Sequence, residues 1–185
     1  MDQSGEDAMN GIPPNMIGGD HDSPPATESA ASARHSPDID VPFTPSAQRV
    51  IDRCVELADL VGGKAILTEH LLLAIASTPE CAAAKLIAEH DHSTESMLSA
   101  LQFVLGTDTR PIPEHQPSPR LERVIIRAKR EAFRHHHAEV SSLHLLMALI
   151  RERAGVALYA LEQPGSGYQK IANANNRAVR AGESD

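Results

Sequence analysis

The residue types able to do chemistry concentrate in two short stretches. "AILTEHLLLAIAS", residues 65–77, sets a carboxylate, Glu69, between Thr68 and His70 at the head of an apolar run. "EVSSLHLLMALIR", residues 139–151, repeats the cadence with Ser142, Leu143 and His144. A carboxylate in the first turn of a helix is stabilised by the helix dipole, by ~0.3–1 kcal/mol. That effect alone accounts for Glu69. The sharper reading is a carboxylate at an exposed rim that receives a cationic side chain of a bound peptide. Leu143 offers neither charge nor a hydrogen-bond acceptor, so the second stretch lacks this reader.

The other chemical residue types have plainer uses. His70 and His144 stand at matched places beside leucines, which suits packed, hydrogen-bonded structural rings better than metal ligands or bases. Ser141, Ser142 and His144 contain the types of a nucleophile–base pair, yet they serve better as helix cap and core. "HHH", residues 135–137, reads as a polar helix end, because consecutive side chains on a helix do not converge on one ion. Cys54 and Cys81 sit among apolar residues with no CxxC spacing, as buried reduced thiols do. No catalytic residue, metal site or cofactor is expected.

Two helical units must position these residues. An offset of 74 aligns Pro45 with Pro119, Arg49 with Arg123, Val50 with Val124 and His70 with His144, without a gap. A duplication of this length is a repeated helical bundle rather than a short solenoid repeat. In the first unit Pro45 suits a first helical turn, and Val50, Cys54, Leu57, Ala58 and Val61 recur at helical spacing. Gly62-Gly63 ends that helix. Thr68 is expected as the next N-cap, with Leu71, Leu72 and Ile75 facing inward. Residues 80–89 and 94–105 supply two more helices. The second unit repeats the plan over 119–134, 142–152 (capped by Ser142) and 154–162. Its fourth helix is expected to be short and polar, near 168–179, because two glycines stand where it should begin.

Composition agrees. Hydrophobic residues make up 41% of the 185, enough for a core, while aromatics are 3% with no Trp, which disfavours sandwiches and barrels. The net charge of −8 is uneven: residues 1–41 hold eight acids and one base, Arg34, so the rest is nearly neutral. No basic face suggests nucleic acid. No run approaches the ~18 apolar residues of a membrane span, and no signal peptide is visible, so a cytoplasmic location is expected. The Pro-, Gly- and Ser-rich residues 1–41 are expected to form a disordered acidic tail. The helix at 119–134 carries Arg120, Arg123, Arg127, Lys129, Arg130 and Arg134 against Glu122 and Glu131, as a solvated face or a dock for an acidic partner or the chain's own acidic tail.

"FTPSAQRVIDRCVELAD", then "TEHLLLAI", then the helix near "ECAAAKLI", resembles the Clp repeat, the double four-helix N-terminal domain of Clp-type AAA+ unfoldases, closest to the ClpC branch. "SPRLERVIIRAKREAF" with "SSLHLLMALIRERAGVALYAL" is similar to the same pattern. The resemblance covers about residues 43–163. It implies an all-α fold of two pseudo-symmetric four-helix repeats, 43–106 and 118–165, joined by a linker at 107–117. A short helix and tail would follow at 166–185. It also implies a non-enzymatic module that docks substrates and adaptors. In the family the glutamate of TEH meets the guanidinium of phosphoarginine, and Glu69 matches it. The threonine of the upstream FT element lies near that site, and Thr44 matches it.

Two departures from the family matter. The second TEH is Ser142-Leu143-His144 here, so a second phosphoarginine site is not expected. No nucleotide-binding motor is expected either: "GGKA" at 62–65 has Ala58 where a phosphate loop needs glycine and Ala65 where it needs Ser or Thr. The expectation is a stand-alone protein that binds Clp unfoldase, adaptors or substrates, without ATP, nucleic acid or membrane, and modulates Clp-dependent proteolysis. The alternative is a degenerate Clp repeat serving as a structural interaction module in an unrelated regulatory complex.

Overall fold

A computed structural model describes residues 39–61, 65–90, 99, 116–152, 157, 161–162 and 167–185. They fall in the unit Ser36–Asp185. Among them are six helices and no strand: α1 (Pro45–Val61), α2 (Thr68–Ala76), α3 (Ala82–His90), α4 (Pro119–Arg134), α5 (Ser142–Arg151) and α6 (Tyr168–Ala181). The expected disorder of the acidic tail, the helix at 94–105 and most of the linker lie outside the described residues. Residues 39–41, assigned to the tail from sequence, belong to the fold: Val41 is buried and Ile39 packs against the core.

Proline and a hydroxyl start both long helices. Thr44 Oγ1 accepts the Ala47 amide at 3.1 Å ahead of α1, and Ser118 Oγ accepts the Leu121 amide at 3.2 Å ahead of α4. Each proline fills the first helical position, where its missing N–H costs nothing. The caps of α2 and α5 fall one residue earlier than the sequence suggests. The N-caps are Leu67 and Ser141, and Thr68 and Ser142 are the first helical residues. The histidine three residues on closes each cap: Nδ1 of His70 accepts the Leu67 amide at 2.9 Å, and Nδ1 of His144 accepts the Ser141 amide at 3.0 Å. A ring nitrogen thus does what the glutamate of an ordinary capping box does, and the neighbouring hydroxyls of Thr68 and Ser142 meet other partners.

The two repeats cross where their helices begin. Thr44 N donates to Val140 O at 3.0 Å, and its counterpart Ser118 N donates to Ile66 O at 2.8 Å. Val140 N donates to Pro42 O at 2.7 Å, and Ile66 N donates to Gln116 O at 2.9 Å. The same offset of 74 relates the members of each pair, so one joint is made twice about a pseudo-twofold axis. The two isolated bridges, Phe43 to Val140 and Ile66 to Pro117, are this joint. Leu71, Leu72 and Ile75 from α2 and Leu145, Leu146 and Leu149 from α5 are buried in the shared core. Helices α2 and α5 touch each other and also the long helix of the opposite repeat.

Helix α6 is more than the short polar helix expected. Its 14 residues bury Ile171, Ala174, Ala178 and Val179 and pack on α3 and α5. Asn175 is buried on the same face and donates from Nδ2 to Leu143 O at 3.1 Å. Gly167 stays outside the helix as its N-cap at φ +70°. Gly182, at φ +79°, closes the other end: the Glu183 amide reaches Ala178 O at 3.0 Å and the Gly182 amide reaches Val179 O at 3.2 Å. This Schellman turn reverses the chain and sends residues 183–185 back toward the helix starts.

Candidate functional site

Glu69 is placed at the first turn of α2, as expected, but not at an exposed rim: it is only 7% exposed. The Thr68 hydroxyl donates to Glu69 Oε2 at 2.9 Å. The buried carboxylate is thereby met by its own neighbour's hydroxyl and by the positive end of the α2 dipole. His70, also buried, has its imidazole pKa lowered by burial, opposed by the Glu69 charge.

Thr44 is brought to different elements. Its hydroxyl donates to Asp185 Oδ2 at 2.8 Å. The Ser142 amide donates to the same oxygen at 2.7 Å. Oδ1 of Asp185 receives the Ser142 hydroxyl at 2.5 Å and the Ala82 amide at 3.0 Å. The starts of α1, α3 and α5 therefore converge on one carboxylate. The structure brings Thr44 together with Ser142, whereas Glu69 stands on α2, whose lead-in at Ile66 pairs with Gln116 and Ser118.

The second repeat also assembles a histidine pair that the sequence did not reveal. Nδ1 of His144 faces the amide and hydroxyl of Ser141, both donors, so its proton is on Nε2. That Nε2–H donates to Nδ1 of His137 at 2.9 Å. Burial, then the nearby charges of His137 and His135, lower the His144 pKa to about 4, against a weaker upward pull from Glu131 and Asp185. His137, expected as part of a polar helix end, is instead the second half of a ring-to-ring contact with centroids 4.9 Å apart. Among the described residues no group of three metal-ligating side chains forms.

The basic helix α4 is less free than its sequence implies. Arg123 and Arg127 meet Glu152 at 3.1 and 3.8 Å. Glu131, 2% exposed rather than on the solvated face, takes Arg134 at 2.7 Å and also Arg151. Between α1 and α4 lies an apolar cavity of about 420 Å³ lined by Phe43, Ile51, Val55, Ile66, Leu121 and Ile125. Cys54 also borders it. Burial pushes the Cys54 thiol up to about 12, so the sulfur is a hydrophobe and not a nucleophile.

Comparison with known proteins agrees with this architecture. The model of the Clp repeat (R) N-terminal domain matches residues 25–90, 43–164 and 116–185. The last match extends over α6. The ClpC ATP-binding subunit of the ATP-dependent Clp protease from Staphylococcus saprophyticus is 34% identical over 115 residues, which cover 62% of this chain and 14% of that protein. The chain thus matches only a small part of that relative's length. The Hsp104 N-terminal domain from Candida albicans superposes with a TM-score of 0.65 at 20% identity, over 77% of this chain and 96% of that one. The ClpD N-terminal domain from Arabidopsis thaliana gives 0.60 at 17%, over 75% and 94%. With both repeats matched, and the crossed joint between them built from equivalent residues, the chain belongs to the Clp repeat N-terminal domain family.

Proposed function

We propose that this chain is a non-catalytic docking module that binds substrate or adaptor proteins and modulates Clp-dependent unfolding and proteolysis, without binding ATP itself. The observation that carries the reading is the family match over residues 43–164, which takes in both repeats and their crossed joint. The inequality of the two helix starts supports a directional ligand. Glu69 would receive a guanidinium or other cationic group, as in arginine-phosphorylated proteins. The Thr44 hydroxyl, at the other joint, would meet an anionic group elsewhere on the same protein ligand. Leu143 leaves the second repeat without the cation reader.

Calorimetric titration of the full chain with phosphoarginine, beside a phosphoserine control, tests the site. Phosphoarginine is expected to bind, and Glu69→Gln is expected to weaken it at least tenfold while the helical dichroism stays unchanged. Equal affinity in variant and wild type would remove Glu69 from the site. Affinity capture tests the partner class. Clp ring, protease or adaptor peptides are expected. Recovery of an unrelated assembly with none of them would select the structural interaction module instead.

A further inference from the structure

The Asp185 carboxylate occupies a site with the attributes of an anion cradle. Three helices of 17, 9 and 10 residues aim their N-termini at it. Helix N-termini favour anions through their unpaired amides and their dipoles. Two of the donors are hydroxyls that each also accept an amide. Thr44 Oγ1 accepts from Ala47 N, and Ser142 Oγ accepts from Ala83 N at 3.0 Å. Each hydroxyl is left with its proton directed at the anion.

The first repeat shows what this position ordinarily holds. There the hydroxyl of the first helical residue, Thr68, is taken by the adjacent acid Glu69. In the second repeat the adjacent residue is Leu143, and the equivalent hydroxyl of Ser142 is taken by Asp185, 43 residues away. The left-handed turn at Gly182 is what returns the chain far enough to deliver that carboxylate.

We propose that Asp185 is an internal occupant of an oxyanion-binding site at the starts of α1, α3 and α5, and that residues 182–185 form a strap. The strap must leave before a carboxylate or phosphoryl group on another protein segment can enter. The second repeat has thus exchanged a fixed acid at position 143 for a removable one. The cradle rests on the proposed docking site for its Thr44 hydroxyl and adds to it a built-in competitor for the anion; it does not involve Glu69 and needs no guanidinium.

Solution NMR of the full chain tests the proposal. In wild type the amide protons of Ala82 and Ser142 are expected well downfield, as charge-assisted donors are, and Asp185→Ala is expected to return them upfield. Inorganic phosphate and acetate are then titrated separately. At least one of them is expected to bind Asp185→Ala at least tenfold more tightly than wild type and to restore the downfield shifts. The tighter of the two identifies the ligand's chemistry. Asp185→Asn, which keeps the side-chain shape, should release the site in the same direction. Ser142→Ala added to Asp185→Ala should lose the gained affinity. Amides that do not move in either Asp185 variant, or anion affinities equal to wild type, would overturn the proposal. Neither probe carries a cation for Glu69, so Glu69→Gln should leave the anion affinity gained in Asp185→Ala unchanged, which separates failure of the cradle from failure of the Glu69 reading.

Discussion

His144 holds a neutral ring where two repeats meet, and its protonation state is tied to folding. Its folded pKa, about 4, lies below the ordinary imidazole value of 6.5. Between those values the unfolded chain takes up a proton that the folded chain refuses. Stability is therefore full above the ordinary value and falls as pH drops toward the folded one. The loss between pH 7 and pH 5 is expected to be about 2 kcal/mol from this residue. Urea unfolding at the two pH values measures it, and His144→Gln should flatten the dependence. An unchanged slope in that variant would place the cause elsewhere. The histidine itself was legible from its recurrence at both positions. Its ring partner His137 was not, because the turn at His135–His137 places that ring through a positive φ at His136, which a run of three histidines does not encode.

Helix α6 shows how an element can be misjudged from local signals. Gly165 and Gly167 lie where a helix should begin, and the following residues are polar. The structure keeps Gly167 as a left-handed cap and uses one face, Ile171, Ala174, Ala178 and Val179, to cover α3 and α5. Gly182 is the element's other hinge. An L side chain at φ +79° is strained, so Gly182→Ala should cost about 1–2 kcal/mol in thermal unfolding. The same variant should shift the Ala82 and Ser142 amides as Asp185→Ala does, because the strap loses its turn. A thermal cost without those shifts would separate the cap from the cradle. The cap positions of α2 and α5 were off by one residue for a related reason. Thr68 and Ser142 have the side chains of N-caps, but the histidine rings bind the amides of Leu67 and Ser141 one residue earlier, and both hydroxyls go to acids.

At the scale of the molecule the two repeats share one core and should unfold as one. The joint is made twice from crossed backbone hydrogen bonds, and α2 and α5 each pack across it. Leu71→Ala and Leu145→Ala remove fully buried side chains at equivalent places. Each is expected to cost about 3 kcal/mol, and calorimetry of wild type and both variants should show a single transition. Two separated transitions would mean that the repeats hold themselves up independently.

The duplication, the all-α class and the buried leucine runs of α2 and α5 were determined by the sequence alone, because helical periodicity and a fixed offset are local, repeated signals that no distant contact needs to supply. The burial of Glu69 and Glu131, the His137–His144 pair and the docking of Asp185 were decided only by the tertiary structure. Each depends on how elements pack: Glu131 meets Arg151 from another helix, and Asp185 meets Thr44 and Ser142 at the starts of α1 and α5. Nothing at position 185 of a linear chain announces that three dipoles will converge there.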